Sequence, residues 1–139
     1  MELKQGDLFW GMDNDFVIKV MDETEKKNVG EGTILFKEGE AADHFYILIK
    51  GRIKLTIGDT GPVVYMAKEA GQVIGWSTLL GRDKYSATAT CMEESKMLKV
   101  DKKSFLDDLA KAPGSEALFF KRVAEMLGDR LVSVYPSIA

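Results

Sequence analysis

Cysteine, histidine and proline are scarce in this sequence, at one, one and three residues in a chain of 139. The single cysteine, Cys91, excludes an internal disulfide and fits a reducing compartment, most simply the cytoplasm. One histidine and one cysteine leave too few ligands for a dedicated zinc site. No Ser–His–Asp set assembles around a lone His44. Charge of one sign is lacking too. The net charge of −3 is not the basic surplus of a general nucleic-acid binder. No apolar run approaches the roughly 18 residues that a membrane span needs. The opening string MELKQGDLFW carries no long apolar core or cleavage-site pattern, so no secretory signal is expected. There is no Walker-type glycine loop with lysine and no metal-binding cluster. A non-enzymatic protein with no implied cofactor is therefore expected.

What is present is an ordinary globular composition, 45% hydrophobic and 29% charged, in one domain's length of chain. Residues 5–22 read as helical. Asp7 can cap a short turn carrying Leu8, Phe9 and Trp10, and Asp13 or Asn14 can cap a second turn with Phe16, Val17, Val20 and Met21 on one face. The string ETEKKNVGEGT then ends the helical spacing. Over residues 24–100 the pattern is that of strands: 33–36, the continuous apolar run 45–49, 52–57 with Ile53, Leu55 and Ile57 on one side, 63–66 and 95–100. Glycine-rich turns separate them, of which 58–62 is the strongest. About eight short strands at spacings near ten residues point to a barrel or double-sheet jelly roll.

Residues 101–132 return to helix. Asp101 can cap a helix holding Phe105, Leu106 and Leu109, which Pro113-Gly114 stops. A second helix runs from about 115 to 132 with two adjoining apolar stripes. One holds Phe119, Val123 and Met126; the other holds Phe120, Ala124, Leu127 and Leu131. That is wider than one face packed on a barrel needs. One stripe suits the barrel and the other a dimer mate, with Phe119, Phe120, Val123, Met126 and Leu127 as the contact residues; the plainer reading buries both within one chain.

The stretch the rest is arranged to hold is 71–91, GQVIGWSTLLGRDKYSATATC. It reads as strand, tight turn at Gly75, one helical turn, loop and return strand. A helix start with freed N–H groups is a ready anion site. His44, at the edge of an apolar strand, reads as structural, with a haem or metal role as the minor alternative. Cys91 reads as inert core.

In the order of its elements the chain resembles the cyclic-nucleotide-binding domain of catabolite-activator-type regulators and protein kinase regulatory subunits. The strings that carry the resemblance are LFWGM, GTILFKEGEAADHFYILIKGRIKL and GQVIGWSTLL…YSATATC, over roughly Leu8 to Leu131. It implies a mainly β fold, an eight-stranded jelly-roll (double-stranded β-helix) barrel with N-terminal helices and two C-terminal helices. It also implies that 71–91 is a phosphate-binding cassette. In the family a glutamate after the glycine holds the ribose hydroxyl, and an arginine with the helical turn's N–H groups holds the cyclic phosphate.

Here Gly75, Leu79 and Leu80 match, but Trp76 stands where the glutamate is expected and Tyr85 where the arginine is. Each charged hydrogen bond lost forfeits roughly 1.5–3 kcal/mol, so two losses weaken a cyclic nucleotide by at least two orders of magnitude. Two readings follow. In the first the domain is a regulatory sensor for a small anionic or planar ligand, a cyclic nucleotide included, and signals through its C-terminal helix. That ligand would meet Gly75, Trp76, Ser77, Thr78 and Leu79, with Arg82, Tyr85 and Ser86 near by. In the second, Trp76 and Tyr85 fill the vacated pocket and the domain works through its helices alone. The family's DNA-reading members add a helix-turn-helix after the long helix; the eight residues after Leu131 are too few for one, so DNA is not an expected partner. A homodimer or a partner protein on the C-terminal helix is.

Overall fold

The computed structural model describes residues 9, 11–58, 61–133 and 135–138. Eight strands form two four-stranded antiparallel sheets. The first, in the order β1-β8-β3-β6, holds β1 (Glu25–Val29), β8 (Ser95–Asp101), β3 (His44–Lys50) and β6 (Val73–Ile74). The second, in the order β2-β7-β4-β5, holds β2 (Ile34–Phe36), β7 (Thr88–Cys91), β4 (Ile53–Thr56) and β5 (Val63–Ala67). This is the expected jelly roll. It is not closed: β5 and β6 follow one another in the chain, each is the edge of its own sheet, and no ladder joins them. Around the roll lie α1 (Asn14–Glu23), α2 (Lys102–Ala110), α3 (Pro113–Ser133) and the short α4 (Tyr135–Ile138). None of the described helices is long and apolar enough to cross a membrane.

The continuous apolar run of β3 has a physical cause. Its Tyr46 and Leu48 join the core between the two sheets, with Phe36, Ile53, Leu55, Cys91 and Met97. Its Phe45 and Ile47 join a second core, with Phe9, Phe16, Phe105, Leu109, Phe119 and Val123 from the helical side. A strand covered on both faces loses the polar alternation of a half-exposed one. In β4 the expected alternation holds at Ile53 and Leu55, which are buried; the strand stops at Thr56, and Ile57 is exposed. The charged string that ends the helical spacing holds β1. It pairs with β8, setting Glu25 opposite Lys99. Charges along an exposed edge keep other strands off it, and they hide the strand from a hydrophobic pattern.

Asp13 caps α1 by accepting the Phe16 N–H at 3.1 Å, and its own N–H donates to Ser115 Oγ at 2.9 Å. The first expected turn falls on residues 5–8 and 10, outside the described residues; Phe9 is buried. Asp101 caps α2 through the Ser104 N–H at 2.9 Å. Pro113 does separate the last helices, but as the first residue of α3, where its missing N–H is no loss. On α3 one correction is needed. Phe119 and Val123 cannot meet a partner subunit, because both are buried in the chain's own core. Phe120, Met126 and Leu127 are partly buried against it, and Leu131 is exposed. The stripe with Phe119 thus covers the roll, and the stripe with Phe120 is left half open.

Phe105 is the hub of the helical-side core. Its ring centroid lies 6.2 Å from Phe9, 5.9 Å from Phe16, 5.1 Å from Phe45 and 5.0 Å from Phe119. Phe105→Ala should lower unfolding free energy by about 3–5 kcal/mol in denaturant melts.

A charged pin joins α1 to α2. Lys19 Nζ lies 3.0 Å from Oδ1 of the buried Asp108, while the other carboxylate oxygen of Asp108 is buried and meets no donor. Burial pushes the Asp108 carboxyl up, but hydrogen bonding from Glu23 and Lys19 leaves it below its ordinary value. Glu23 is raised, chiefly by its hydrogen bond to Asp108, so of the two carboxyls it holds its proton to the higher pH. A raised glutamate stabilises the fold below its ordinary 4.5 and loses that contribution as pH climbs through the raised value. Glu23→Gln keeps a donor at every pH. Its melting temperature should gain on the parent's as pH rises from acid to neutral.

Candidate functional site

The cassette is built around Gly75, whose φ of 85° lies in the left-handed region, where glycine alone is free of a Cβ penalty. Its carbonyl accepts both the Thr78 N–H at 3.2 Å and the Thr78 hydroxyl at 2.9 Å. The turn that follows, Trp76–Leu80, is a 3-10 helix. Leu79 drops into the helical-side core and Trp76 packs against it, half-buried. Ser77 Oγ lies 3.3 Å from Ser86 Oγ, tying the turn to the segment that leads into β7.

Tyr85 fills the space behind that turn. Its ring stacks on Phe36 at 3.8 Å and 11°, and Phe36 continues the stack to Tyr46 at 6.0 Å. Its hydroxyl donates to the His44 carbonyl at 2.7 Å. Its N–H donates to the Glu40 carbonyl at 3.0 Å, and its own carbonyl accepts the Gly39 N–H at 2.9 Å. A Cβ on Gly75 would sit 3.5 Å from the Tyr85 ring. What remains between Phe36, Leu55, Gly75, Trp76, Ser77, Tyr85, Ser86 and Ala87 is a cavity of about 20 Å³. That is room for about one water, against the roughly 300–1,000 Å³ of small-molecule sites.

The structure therefore brings Gly75, Trp76, Ser77, Tyr85 and Ser86 to one cavity wall, with Thr78 and Leu79 buried beside it. It does not bring Arg82 there. Arg82 and Lys84 are exposed and line no part of the cavity; the Arg82 carbonyl accepts from Lys102 Nζ at 3.4 Å. His44 contributes its backbone carbonyl. Its imidazole lies 3.7 Å from Asp101 Oδ1. Cys91 is buried, and burial pushes its thiol up.

One residue escaped the sequence reading. Arg130 of α3 reaches back over the cassette. Its guanidinium carbon lies 3.7 Å from the Tyr65 ring centroid and 5.7 Å from that of Trp76. Its Nη2 donates to the Val73 carbonyl at 3.1 Å. The signal was its spacing: Phe119, Val123, Met126 and Arg130 follow one another at helical intervals.

Residues 26–111 match the cyclic nucleotide-binding domain family. The chain belongs to that family, and its fold is that of a regulatory or sensor module. It is 27% identical over 124 residues to the cyclic nucleotide-gated channel beta-3 of Canis lupus familiaris, covering 87% of this chain and 16% of the channel. The chain thus spans about a sixth of the length of that relative. Among solved structures, the sensor domain of the transcriptional regulator DNR from Pseudomonas aeruginosa superposes with a TM-score of 0.74 at 20% identity, over 92% of this chain and 87% of that one. The Thermus thermophilus catabolite activator protein gives 0.73 at 19%, over 94% and 61%. At those identities the likeness is one of fold.

Burial, with Tyr46 adjacent, pushes the Tyr85 phenol up to about 12. A phenol raised above its ordinary 10 stabilises the fold below that value, and the contribution disappears as pH passes through the raised one. A tyrosinate absorbance titration should show a step at about 12 that Tyr85→Phe removes. Tyr85→Phe should also cost about 1–3 kcal/mol, because the His44 carbonyl loses its donor.

Proposed function

We propose that this domain is a regulatory module whose cassette has become a packed joint between the roll and the C-terminal helix, and that it acts through α3 on a second copy of the chain. The observation that carries the reading is the Tyr85 ring on Phe36, with its hydroxyl on the His44 carbonyl and about 20 Å³ left beside it. The ribose-holding carboxylate and the phosphate-holding guanidinium are absent from positions 76 and 85. The hydroxyls of Ser77 and Thr78 are engaged with Ser86 and with the Gly75 carbonyl. The row Phe120, Ala124, Leu127 and Leu131 supports the self-association, being half open along one face of α3.

A second reading has one observation in its favour. The left-handed Gly75 and the Ser77–Ser86 pair still stand at the cavity wall. A small planar or anionic ligand would then enter as Tyr85 swings out, meeting Gly75, Trp76, Ser77, Thr78, Leu79 and Ser86.

Thermal melts with cyclic AMP, cyclic GMP and cyclic di-GMP separate the two. A ligand at a hundredfold excess over its dissociation constant adds about 2.7 kcal/mol, a shift of many degrees for a domain of this size. No saturable shift is expected from any of the three at millimolar concentration; a saturable one at micromolar concentration overturns the joint. Light scattering should give a dimer, and Leu131→Asp a monomer that keeps the parent's circular-dichroism spectrum.

A further inference from the structure

The two halves of α3 are held by different physics. The fully buried residues of the helix, Ser115, Phe119 and Val123, all lie in its first half. After Val123 only Met126, Leu127 and Arg130 turn partly inward, and Leu131, Val132 and Ser133 are exposed. Arg130 is the last anchor of the helix on the roll. Its grip crosses the open seam, since Tyr65 belongs to β5 and Val73 to β6, the facing edges of the two sheets.

The grip has an unusual chemistry. Among the described residues no carboxylate pairs with Arg130. The charge is offset by two ring faces, one carbonyl and the Met126 sulfur at 3.9 Å. Cation–π attraction grows as water is removed, and a guanidinium stacks on rings better than an ammonium. The grip is also imperfect. Arg130 Nε is buried without an acceptor, and burial draws the guanidinium's pKa down. A desolvated donor left unpaired works against the held state. Gly128 stands two residues before the anchor with open space around its absent Cβ. No packing requires a glycine there, and glycine weakens a helix interior.

We propose that Arg130 is a clasp: its guanidinium, lodged between Tyr65 and Trp76 and bonded to the Val73 carbonyl, fixes the last turns of α3 across the seam, and displacement of Trp76 in the cassette turn releases them. The clasp rests on the reading of α3 as the output element and names the contact through which the cassette moves it. Trp76, at the position from which the family's glutamate is missing, is then the moving part. Arg130 and Trp76 sit on different elements and touch, so they form a unit that a double-substitution cycle detects.

Hydrogen exchange on the full, ligand-free chain tests this. Arg130→Gln should speed amide exchange about tenfold across residues 126–133 and leave 116–123 and β3 unchanged. Arg130→Lys, which keeps the charge but loses the planar fork, should fall between Arg130→Gln and the parent. Trp76→Leu should speed the same span, and the double variant should exceed the faster single one by no more than about twofold. Acceleration spread evenly over α3 and the strands would mark a general loss of stability and overturn the clasp. So would multiplying effects of the two substitutions, or an unchanged exchange rate at 126–133. The output reading is scored apart from this, by light scattering of the parent and Leu131→Asp chains. A failed clasp leaves that result standing, and a monomeric parent leaves the exchange pattern interpretable.

Discussion

The contact between Tyr85 and Phe36 governs the rest of the site. Tyr85 does three jobs. Its ring stacks on β2, its main chain ties the loop after the cassette to Gly39 and Glu40, and its ring lies against Gly75 where a side chain would otherwise project. A phenol suits that position because its body is apolar and its tip is polar. The arginine that the family places there brings a charge that needs an anion to offset it. A tyrosine brings its own partner within reach, the His44 carbonyl, and is satisfied by the protein alone. On the packed-joint reading, the change of residue type lets the site be complete without a ligand.

Trp76 works in the opposite direction from Tyr85. One faces inward and closes the cavity; the other leans out toward the helix and Arg130. The two residues that depart from the family's pattern thus face opposite neighbours of the cassette turn, Tyr85 the sheet core through Phe36 and Trp76 the helix α3 through Arg130. The first half of α3 belongs to the helical-side core and shares its fate with Phe105. The second half depends on a guanidinium, two rings and a carbonyl, interactions that are few and directional. Loss of a single partner there leaves only the partly buried Met126 and Leu127 to absorb it.

Much of the architecture was legible in the chain. The strands with a buried face announced themselves by alternation or by a continuous apolar run, and both aspartate caps sat where the helices begin. β1 was not legible, because Glu25, Lys26, Lys27 and Asn28 form an edge strand that shows charge rather than pattern. The choice between Phe119 and Phe120 as the core-facing residue was also hidden. Adjacent residues on a helix differ by about 100°, and only the packed roll decides which stripe it takes. Within the site, the replaced residues Trp76 and Tyr85 could be read directly from 71–91. Their consequences could not, since Phe36 and Arg130 lie some fifty residues away on either side. Arg130 was passed over because a charge at the end of an apolar stripe reads as solvent-facing. Here its guanidinium is roofed by two rings.

The double-faced burial of β3 carries a consequence for how such a domain changes over time. Tyr46 and Leu48 belong to the core beside the cassette, whereas Phe45 and Ile47 belong to the core that seats the helices. Neighbouring positions on a single strand therefore answer to different constraints. The inward set can be altered to reshape a pocket while the helix seat stays in register, and the outward set can be altered to re-aim the helices while the pocket stays intact. The strand is a partition, so a change on its cassette side need not be felt on its helix side. A chain with a tryptophan and a tyrosine at positions 76 and 85 can thus keep the seat of its helices whole.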